Sequence, residues 1–300
     1  MKKRIKYTLR APISHIGETA STGSYFQTVL TDQGSIPVIT GNSIRGQLRD
    51  CMAMHLLETI NNTDGSPVKV NKDTFNILFS GGNINGVMKE DIEKAKSVRE
   101  YFPMISLLGG GLGDMIMAGK LLCSFVYPVC IETEEVTGVP SNVSWHSLID
   151  EIEFTRMDDS KDERLGEYLL DATEGKTAKA STQMRYSVQY IAAGTEFVQD
   201  IYFLPGITDL ELGAFYAGIL KWWEIPRMGG MAAKGFGFFD ASIDNEVSVN
   251  DGHVVATASV IEAVNQYESF LKDNGADYMP ILQTKSAKER KNEKGSDKSS

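Results

Sequence analysis

Residues 228–239 read MGGMAAKGFGFF, a glycine-rich loop with one lysine that runs into an aromatic, strand-like segment. Glycine lets a backbone adopt positive φ and approach a ligand closely. Consecutive N–H groups in such a loop make a concavity for anions, and a lysine adds a point charge for phosphate. Because the spacing is not that of a nucleotide-binding loop, it predicts contact with a nucleic-acid backbone. The predicted contact residues are Lys234, Gly235, Phe236 and Gly237.

The same loop has a purely structural interpretation, in which the glycines serve only a tight turn. Phe236 and Phe238 alternate with glycines in the segment that follows. If exposed, the two rings could stack on bases, as the aromatic residues of RNA-binding sheets do. If buried, they belong to the core, and this arrangement is the one that the pattern favours.

A second group of candidate residues lies at the start of a helix predicted after Thr40. Asn42 or Ser43 is the expected N-cap. The buried face is predicted by apolar residues at helical spacing. These are Ile44, Leu48, Cys51, Met52, Leu56 and Ile60.

Arg45 and Arg49 are one turn apart and are expected to lie together, away from the buried face. There they could hold phosphates near a helix N-terminus that itself favours anions. Amides and hydroxyls from the first turn could add to the contact, and they would come from Gly41, Asn42 and Ser43. The alternatives are a solvated helix face, with Asp50 as the partner of the arginines, and an ordinary N-cap.

Further candidates lie in a basic, polar segment at 175–190 and after the first strand. Lys176, Lys179, Arg185 and Tyr186 could line a nucleic-acid groove, or they could belong to a solvated loop. His15 could act as a general acid or base, although a lone histidine after a strand is more often a structural hydrogen-bonding group. No Ser/His/Asp arrangement or metal-ligand spacing is evident, so neither a metal nor a cofactor is expected.

Composition limits the class of protein. The chain has 300 residues and a net charge of −10, which argues against nucleic-acid binding by overall charge. Positive charge is concentrated locally, because residues 1–17 hold five Lys or Arg residues and no acid. The first acid of the chain is Glu18. Any basic groove must therefore be lined selectively. No apolar run is long enough to span a bilayer, and the three cysteines suggest free thiols in a reducing cytoplasm.

The predicted elements form an α+β arrangement. Strands are expected at 4–13, 120–131, 196–204 and 236–243, and helices after Thr40, after a Thr208 capping box and at 254–272. Without the insertions, this order is a βαββαβ ferredoxin-like unit, a topology shared with RNA-recognition modules. The expected division is a palm from 1–60 and 190–280, a partly helical insertion at 61–119, a second insertion at 132–190 and a disordered tail at 281–300.

Three segments resemble motifs of the CRISPR-associated RAMP proteins. Residues 38–49 (VITGNSIRGQLR) are similar to their "P-G-S-S-hydrophobic-K/R-G-x-h-R" helix start, residues 14–17 (SHIG) to their "h-H-h-G" loop, and residues 194–237 to their C-terminal half with its glycine-rich loop. Order and spacing agree in all three. Within the superfamily, the arrangement resembles the crRNA-binding backbone subunit, and residues 10–19 look most like its type IV version.

The resemblance implies an RRM-like palm and a β-hairpin thumb within 132–190, with 175–190 facing the RNA. It also implies head-to-tail copies along a guide RNA (crRNA), contacts with other effector subunits, and pairing of the guide with target nucleic acid, DNA more than RNA. No membrane partner is implied. All fourteen site residues named above, His15 included, are candidates for RNA contact.

Target cleavage is not expected. Type III backbone subunits carry an aspartate in the loop after the first strand, whereas here no aspartate precedes Asp32 and Glu18 directly follows Gly17. A misplaced carboxylate is ineffective, because about 1 Å of error can cost on the order of a hundredfold in rate. A scaffold that binds without cutting is therefore predicted. The alternatives are a RAMP endoribonuclease that processes precursor crRNA with His15 as acid/base, and a metabolic enzyme that binds a phosphorylated small molecule at the glycine loop.

Overall fold

The structure is a computed structural model that describes residues 1–19, 23–60, 66, 68–84, 91–113, 115–156 and 184–282. The strands are β1 (Lys2–Leu9), β2 (Ile16–Thr19), β3 (Gly23–Phe26), β4 (Thr28–Thr31), β5 (Gly34–Pro37), β6 (Gly82–Ile84), β7 (Gly110–Gly113), β8 (Met115–Met117), β9 (Leu121–Cys123), β10 (Tyr127–Pro128), β11 (Ile149–Arg156), β12 (Met184–Ile191), β13 (Glu196–Phe203), β14 (Phe239–Ile243), β15 (Val247–Asn250) and β16 (His253–Ala256). The α-helices are α1 (Gly41–Thr59), α2 (Lys72–Phe75), α3 (Ile92–Tyr101), α4 (Pro103–Leu108), α5 (Glu134–Thr137), α6 (Asp209–Trp223) and α7 (Ala258–Tyr278). Within these residues, no helix combines the length and apolar character needed to cross a bilayer.

The main sheet has seven antiparallel strands in the order β10, β13, β1, β14, β15, β16, and β9 also pairs with β13. The strand expected at 4–13 is present but spans Lys2–Leu9, and its residues alternate, with Ile5, Tyr7 and Leu9 buried on one face. Side chains of a strand alternate between the two faces, so the intervening residues of β1 lie on the opposite face.

Helices α1 and α6 cover the buried face of this sheet. Trp222 of α6 lies 6.4 Å from Tyr7 between ring centroids, and Phe215 lies 5.1 Å from Phe203. The two helices approach closely at Gly218, where a Cβ would come within 2.3 Å of the Cγ of Met52. The predicted buried face of α1 is confirmed.

Helix starts are set by threonine caps. The predicted capping box of α6 is confirmed: the Glu211 amide donates to the Thr208 hydroxyl at 3.2 Å, and a Glu211 carboxylate oxygen accepts from the Thr208 amide at 2.8 Å. For α1 the prediction of Asn42 or Ser43 as N-cap is wrong. The cap is Thr40, whose hydroxyl accepts from the Ser43 amide at 3.3 Å.

Several sequence-based boundaries are wrong for physical reasons. The strand expected at 120–131 is two short strands, because Val126 leaves the sheet to exchange hydrogen bonds with Ile39 at 2.9 and 3.1 Å. The helix expected from 254 begins at 258, since 253–256 pair with β15 as a strand. The segment from Ser14 to Ser35, whose Gly, Ser and Thr residues are typical of a loop, contains β2 to β4 and the start of β5.

Besides the main sheet and a two-stranded sheet in which β4 pairs with β5, the described residues form two further sheets. The first has the order β11, β12, β3, β2, and β11 pairs antiparallel with β12 along its full length. Residues 157–183, between these two strands, lie outside the described residues. The second sheet, β6, β7, β8, belongs with α2 to α4 to the expected insertion at 61–119. The predicted disordered tail lies outside the described residues from 283 onward, and Leu282 before it is buried.

Candidate nucleic-acid interface

The three motif segments meet at one end of the main sheet. The Gly230 amide donates to the carbonyl of Ser14 at 2.8 Å. The Thr40 amide donates to Nε2 of His15 at 3.3 Å. The loop after β1 therefore lies between the glycine-rich loop and the first turn of α1, and backbone hydrogen bonds fix the first of these contacts.

Half of the amides of residues 228–237 donate hydrogen bonds within the protein. Backbone carbonyls accept hydrogen bonds from the N–H groups of five loop residues, at 2.8 to 3.0 Å. The five donors are Met228, Gly230, Lys234, Gly235 and Gly237. At these positions the prediction of an open amide concavity for anions is wrong. The reason is that an N–H that already donates to a carbonyl at good distance has no hydrogen left for a ligand.

The shape of the loop depends on residues in the left-handed region. Met231, at φ 60°, precedes a short 3-10 turn that ends at Lys234, and Gly235 follows at φ 85°. Gly237 also has φ 85°, and a Cβ there would lie 2.0 Å from the carbonyl oxygen of Met228. Gly237 is buried. It is thus required by the close packing of the loop on itself.

Lys234 is exposed and points its ammonium at two aromatic rings. Its Nζ lies 4.4 Å from the ring centroid of Tyr186 and 4.5 Å from that of Phe154. These distances are those of cation–π contacts. Among the residues that the structure describes, no carboxylate lies within salt-bridge distance of Lys234.

Phe236 is a core residue and does not offer a face for base stacking. Its side chain is 5% exposed and packs 6.3 Å from Phe154 and 6.3 Å from Tyr190, between ring centroids. The buried interpretation of Phe236 is therefore confirmed, and its inclusion among exposed RNA contacts is wrong. Phe238, by contrast, is 37% exposed.

Arg49 corrects the expectation for the two arginines of α1. Its side chain is 8% exposed, and its guanidinium donates to the carbonyls of Ile77, Leu108 and Gly109 at 3.4, 3.0 and 3.1 Å. Burial, assisted by the nearby Arg45 cation, lowers the pKa of Arg49 to about 10. The prediction of an exposed phosphate-binding pair is wrong for Arg49, because the 61–119 insertion covers this face.

Arg45 is half-buried and also donates to the carbonyl of Leu108. The first turn of α1 is only partly accessible to a ligand. Gly41 packs against β9, since a Cβ would come within 2.4 Å of the carbonyl oxygen of Cys123, while Asn42 is exposed and Ser43 is half-buried.

His15 occupies a structural hydrogen-bonding position. It is half-buried, its ring lies edge-on to Phe26 at 6.2 Å, and Nε2 accepts from the N-cap amide of α1. Burial lowers the pKa of His15 below its ordinary value. The neutral imidazole is the form that can accept this hydrogen bond. Within the described part of the chain, no three His, Cys, Asp or Glu side chains converge as metal ligands do.

The basic segment before Tyr190 is described only in part. Lys176 and Lys179 lie outside the described residues. Arg185 pairs through its backbone with Thr155 in the β11–β12 ladder, and its side chain also lies outside them. The side chain of Tyr186 is described, and its ring contacts Lys234 of the glycine loop.

Three of the four basic residues of β1 pair with acids, whereas Lys6 is exposed. Lys2 and Arg4 both pair with Asp200 at 2.8 Å, and Lys3 pairs with Glu246. The run that lacks acids in sequence is therefore largely neutralised by acids from β13 and from the turn after β14, because antiparallel pairing brings those residues alongside it.

Sequence reasoning missed Phe154, which lies in a stretch that reads as acidic and turn-rich. A signal was present: in 149–156 Ile152 and Phe154 fall on one side of a period-two pattern, which is typical of a strand. The backbone contact of Ser14 was also missed, because no side-chain pattern shows that its carbonyl accepts a hydrogen bond from the Gly230 amide.

The architecture is that of an α+β protein with a helix-covered antiparallel sheet, whose end carries a loop-built surface that presents Lys234. A family model described as the RAMP superfamily matches residues 6–240, and the chain belongs to that superfamily. A solved structure of a type IV-B CRISPR complex contains a chain of similar fold, with a TM-score of 0.57 and 18% identity, and the match covers 89% of this chain and 98% of that chain. No curated protein matches the chain.

Proposed function

We propose that this protein is the crRNA-binding backbone subunit of a multi-subunit CRISPR effector, most like the type IV version. One observation carries the proposal: the three RAMP motifs meet on one surface that presents the exposed ammonium of Lys234, which forms no salt bridge with a described carboxylate. Asn42 and Arg45, in the first turns of α1, are the further contacts that we propose. Phosphate contacts of this kind hold a nucleic acid without reading its sequence.

The strand order supports a ferredoxin-like palm. In the main sheet β14 is next to β1, β1 is next to β13, and β13 is next to both β9 and β10. Helix α1 lies in the connection from β1 to β9, and α6 lies in the connection from β13 to β14. We assign 1–60 and 190–280 to the palm and 61–119 to an insertion. The antiparallel β11–β12 pair supports a thumb within 132–190, with Lys176, Lys179 and Arg185 in its RNA-facing part.

In this function, copies of the chain bind head-to-tail along the guide in the cytoplasm, together with other effector subunits, and position the guide for pairing with target DNA. The chain itself does not cut, because the loop after β1 offers no aspartate to position an attacking group. The alternative of a processing endoribonuclease has less support, since Nε2 of His15 is occupied by the Thr40 amide.

RNA binding is tested by mobility shift of a labelled single-stranded RNA over a series of salt concentrations. Lys234→Met is expected to weaken binding and to lower the slope of log K against log[salt] by about 0.7, the value for one phosphate contact with a single strand. Lys272→Met is the matched control, because Lys272 is exposed on α7 and faces Glu268. An unchanged slope for Lys234→Met would show that the proposed contact is wrong.

Assembly and cleavage are tested separately. The protein coexpressed with a CRISPR array is expected to form helical filaments in negative-stain images, and particles without RNA would contradict the proposal. Labelled precursor RNA and target RNA are expected to remain intact after incubation. Defined cleavage that disappears in His15→Ala would favour the endoribonuclease instead.

A further inference from the structure

The aromatic pair beneath Lys234 has no role in the proposed RNA contact. Phe154 and Tyr186 stand directly opposite each other in the β11–β12 ladder. Their ring centroids are 5.4 Å apart and their planes differ by 23°. A cation within about 6 Å of a ring face is attracted by its quadrupole, and Lys234 Nζ is within 4.5 Å of both centroids.

The backbone fixes the lysine from the opposite side. Lys234 ends a 3-10 turn between Met231 and Gly235, both in the left-handed region. Phe236, two residues on, is buried against Phe154 and Tyr190. The glycine loop and the β11–β12 pair therefore pack as one unit, and the ammonium is located by the turn at one end and by the rings at the other.

The held ammonium is still available to an anion. The side chain is exposed, and no described carboxylate forms a salt bridge with it. A lysine free in solvent must lose rotamer freedom when it binds a phosphate, whereas this one is already restrained. Restraint of a binding group in its bound position strengthens binding because that cost is removed.

We infer that Phe154 and Tyr186 are positioning residues for Lys234, holding its ammonium where an RNA phosphate binds, so that they raise RNA affinity without touching RNA. The inference rests on the proposed function. It also means that a cation–π contact, in addition to the apolar packing of Phe236, fixes the position of β11 and β12 relative to the glycine loop.

The test is a double-mutant cycle in the full-length protein, with a labelled single-stranded RNA of mixed sequence as the probe. Tyr186→Leu and Phe154→Leu are each expected to weaken binding about two- to fivefold, the strength of one exposed cation–π contact, with an unchanged salt slope. Lys234→Met is expected to lower the slope, and adding Tyr186→Leu to it is expected to have no further effect. Tyr186→Phe and Lys234→Arg keep the contact and are expected to bind like the wild type.

The control is Tyr202→Leu, which removes another aromatic ring below a lysine, since Lys2 Nζ lies 5.6 Å from the centroid of Tyr202. It is expected to leave RNA affinity unchanged. Thermal unfolding of every variant checks the fold, and if Phe154→Leu is unstable, Tyr186→Leu decides, because Phe154 also packs on the buried Phe236.

The outcomes separate the hypotheses. If Tyr186→Leu weakens the Lys234→Met protein as much as the wild type, the ring contacts RNA directly and the inference is wrong. If both leucine variants bind like the wild type while Lys234→Met loses slope, the inference is wrong and the proposed function stands. A wild-type protein that does not bind RNA at low salt overturns both.

Discussion

Gly235 and Gly237 offer a matched pair of substitutions in the glycine loop. Both have φ 85°, a conformation that alanine rarely adopts. They differ in what a side chain would meet: a Cβ at Gly235 has open space, whereas a Cβ at Gly237 would lie 2.0 Å from the Met228 carbonyl oxygen. Comparing the two alanine variants therefore separates backbone strain from steric overlap.

The expected magnitudes follow from these contacts. Left-handed backbone costs an L-residue about 1–2 kcal/mol, and the reduced freedom of the unfolded chain offsets this by about 0.4–1 kcal/mol, so Gly235→Ala is expected to lose about 1 kcal/mol. Gly237→Ala must also displace the Met228 backbone. That movement breaks the hydrogen bonds from the Gly237 amide to Pro12 (2.8 Å) and from the Met228 amide to Gly237 (3.0 Å). At about 0.5–1.5 kcal/mol for each bond, the total loss is about 2–4 kcal/mol.

Urea unfolding at neutral pH, with linear extrapolation to water, measures both values. RNA affinity measured on the same variants is expected to fall more for Gly237→Ala, because the displaced loop carries Lys234. Losses of unfolding free energy that agree within about 0.5 kcal/mol, the usual scatter of surface substitutions, would refute the reasoning. In that case the contact between Gly237 and Met228 would not hold the loop.

Three further predictions concern buried or paired charges. Arg49→Met is expected to cost about 2–3 kcal/mol in urea unfolding, because the carbonyls of Ile77 and Gly109 lose the Arg49 donor and that of Leu108 keeps only Arg45. Arg99→Met releases one carbonyl at an exposed site and is expected to change stability by about 0.5 kcal/mol or less, so equal losses would contradict the structural role of Arg49. Burial lowers the pKa of His15, so the unfolded state binds more protons just below the ordinary pKa and stability falls as pH drops from 7 toward 5. His15→Gln is expected to reduce this dependence of unfolding free energy on pH, and an unchanged dependence would count against the hydrogen bond from Thr40. Burial raises the pKa of Asp200, but hydrogen bonds from two cations of β1 outweigh this effect and the net pKa is lowered. The stabilisation by the ion pairs is therefore present above the ordinary carboxyl pKa and is lost as pH falls through the lowered value. Asp200→Asn is expected to destabilise the protein at pH 7 by about 1 kcal/mol and to match the wild type near pH 2, where a persisting difference would argue against the ion pair.

Local patterns in the sequence were enough for the regular elements that are stabilised by their own residues. The alternation of β1, the apolar face of α1 and the Thr208 capping box are all confirmed. Each depends on a repeat or a cap within a few residues, which is what a sequence displays directly. The α+β class follows from these elements in their order, whereas the superfamily was predicted from the resemblance of three motif segments and is confirmed by the family model.

Boundaries failed where a distant partner decides the local structure. Residue Val126 leaves the expected strand because Ile39, far away in sequence, takes its hydrogen bonds. The hairpins between Ser14 and Ser35 were missed because their glycines and hydroxyl residues are typical of loops, yet β3 pairs with β12.

For the candidate site, the sequence by itself determined which segments matter: a histidine loop, a capped helix start and a glycine loop with one lysine. Only the tertiary structure decided what each residue in them does. Arg49 is a buried donor to carbonyls, five of the loop amides donate to backbone carbonyls, and the Lys234 ammonium lies over Phe154 and Tyr186. The physical reason is that burial and hydrogen-bond partners come from chain segments far apart in sequence, whereas residue type and spacing are local properties of the chain.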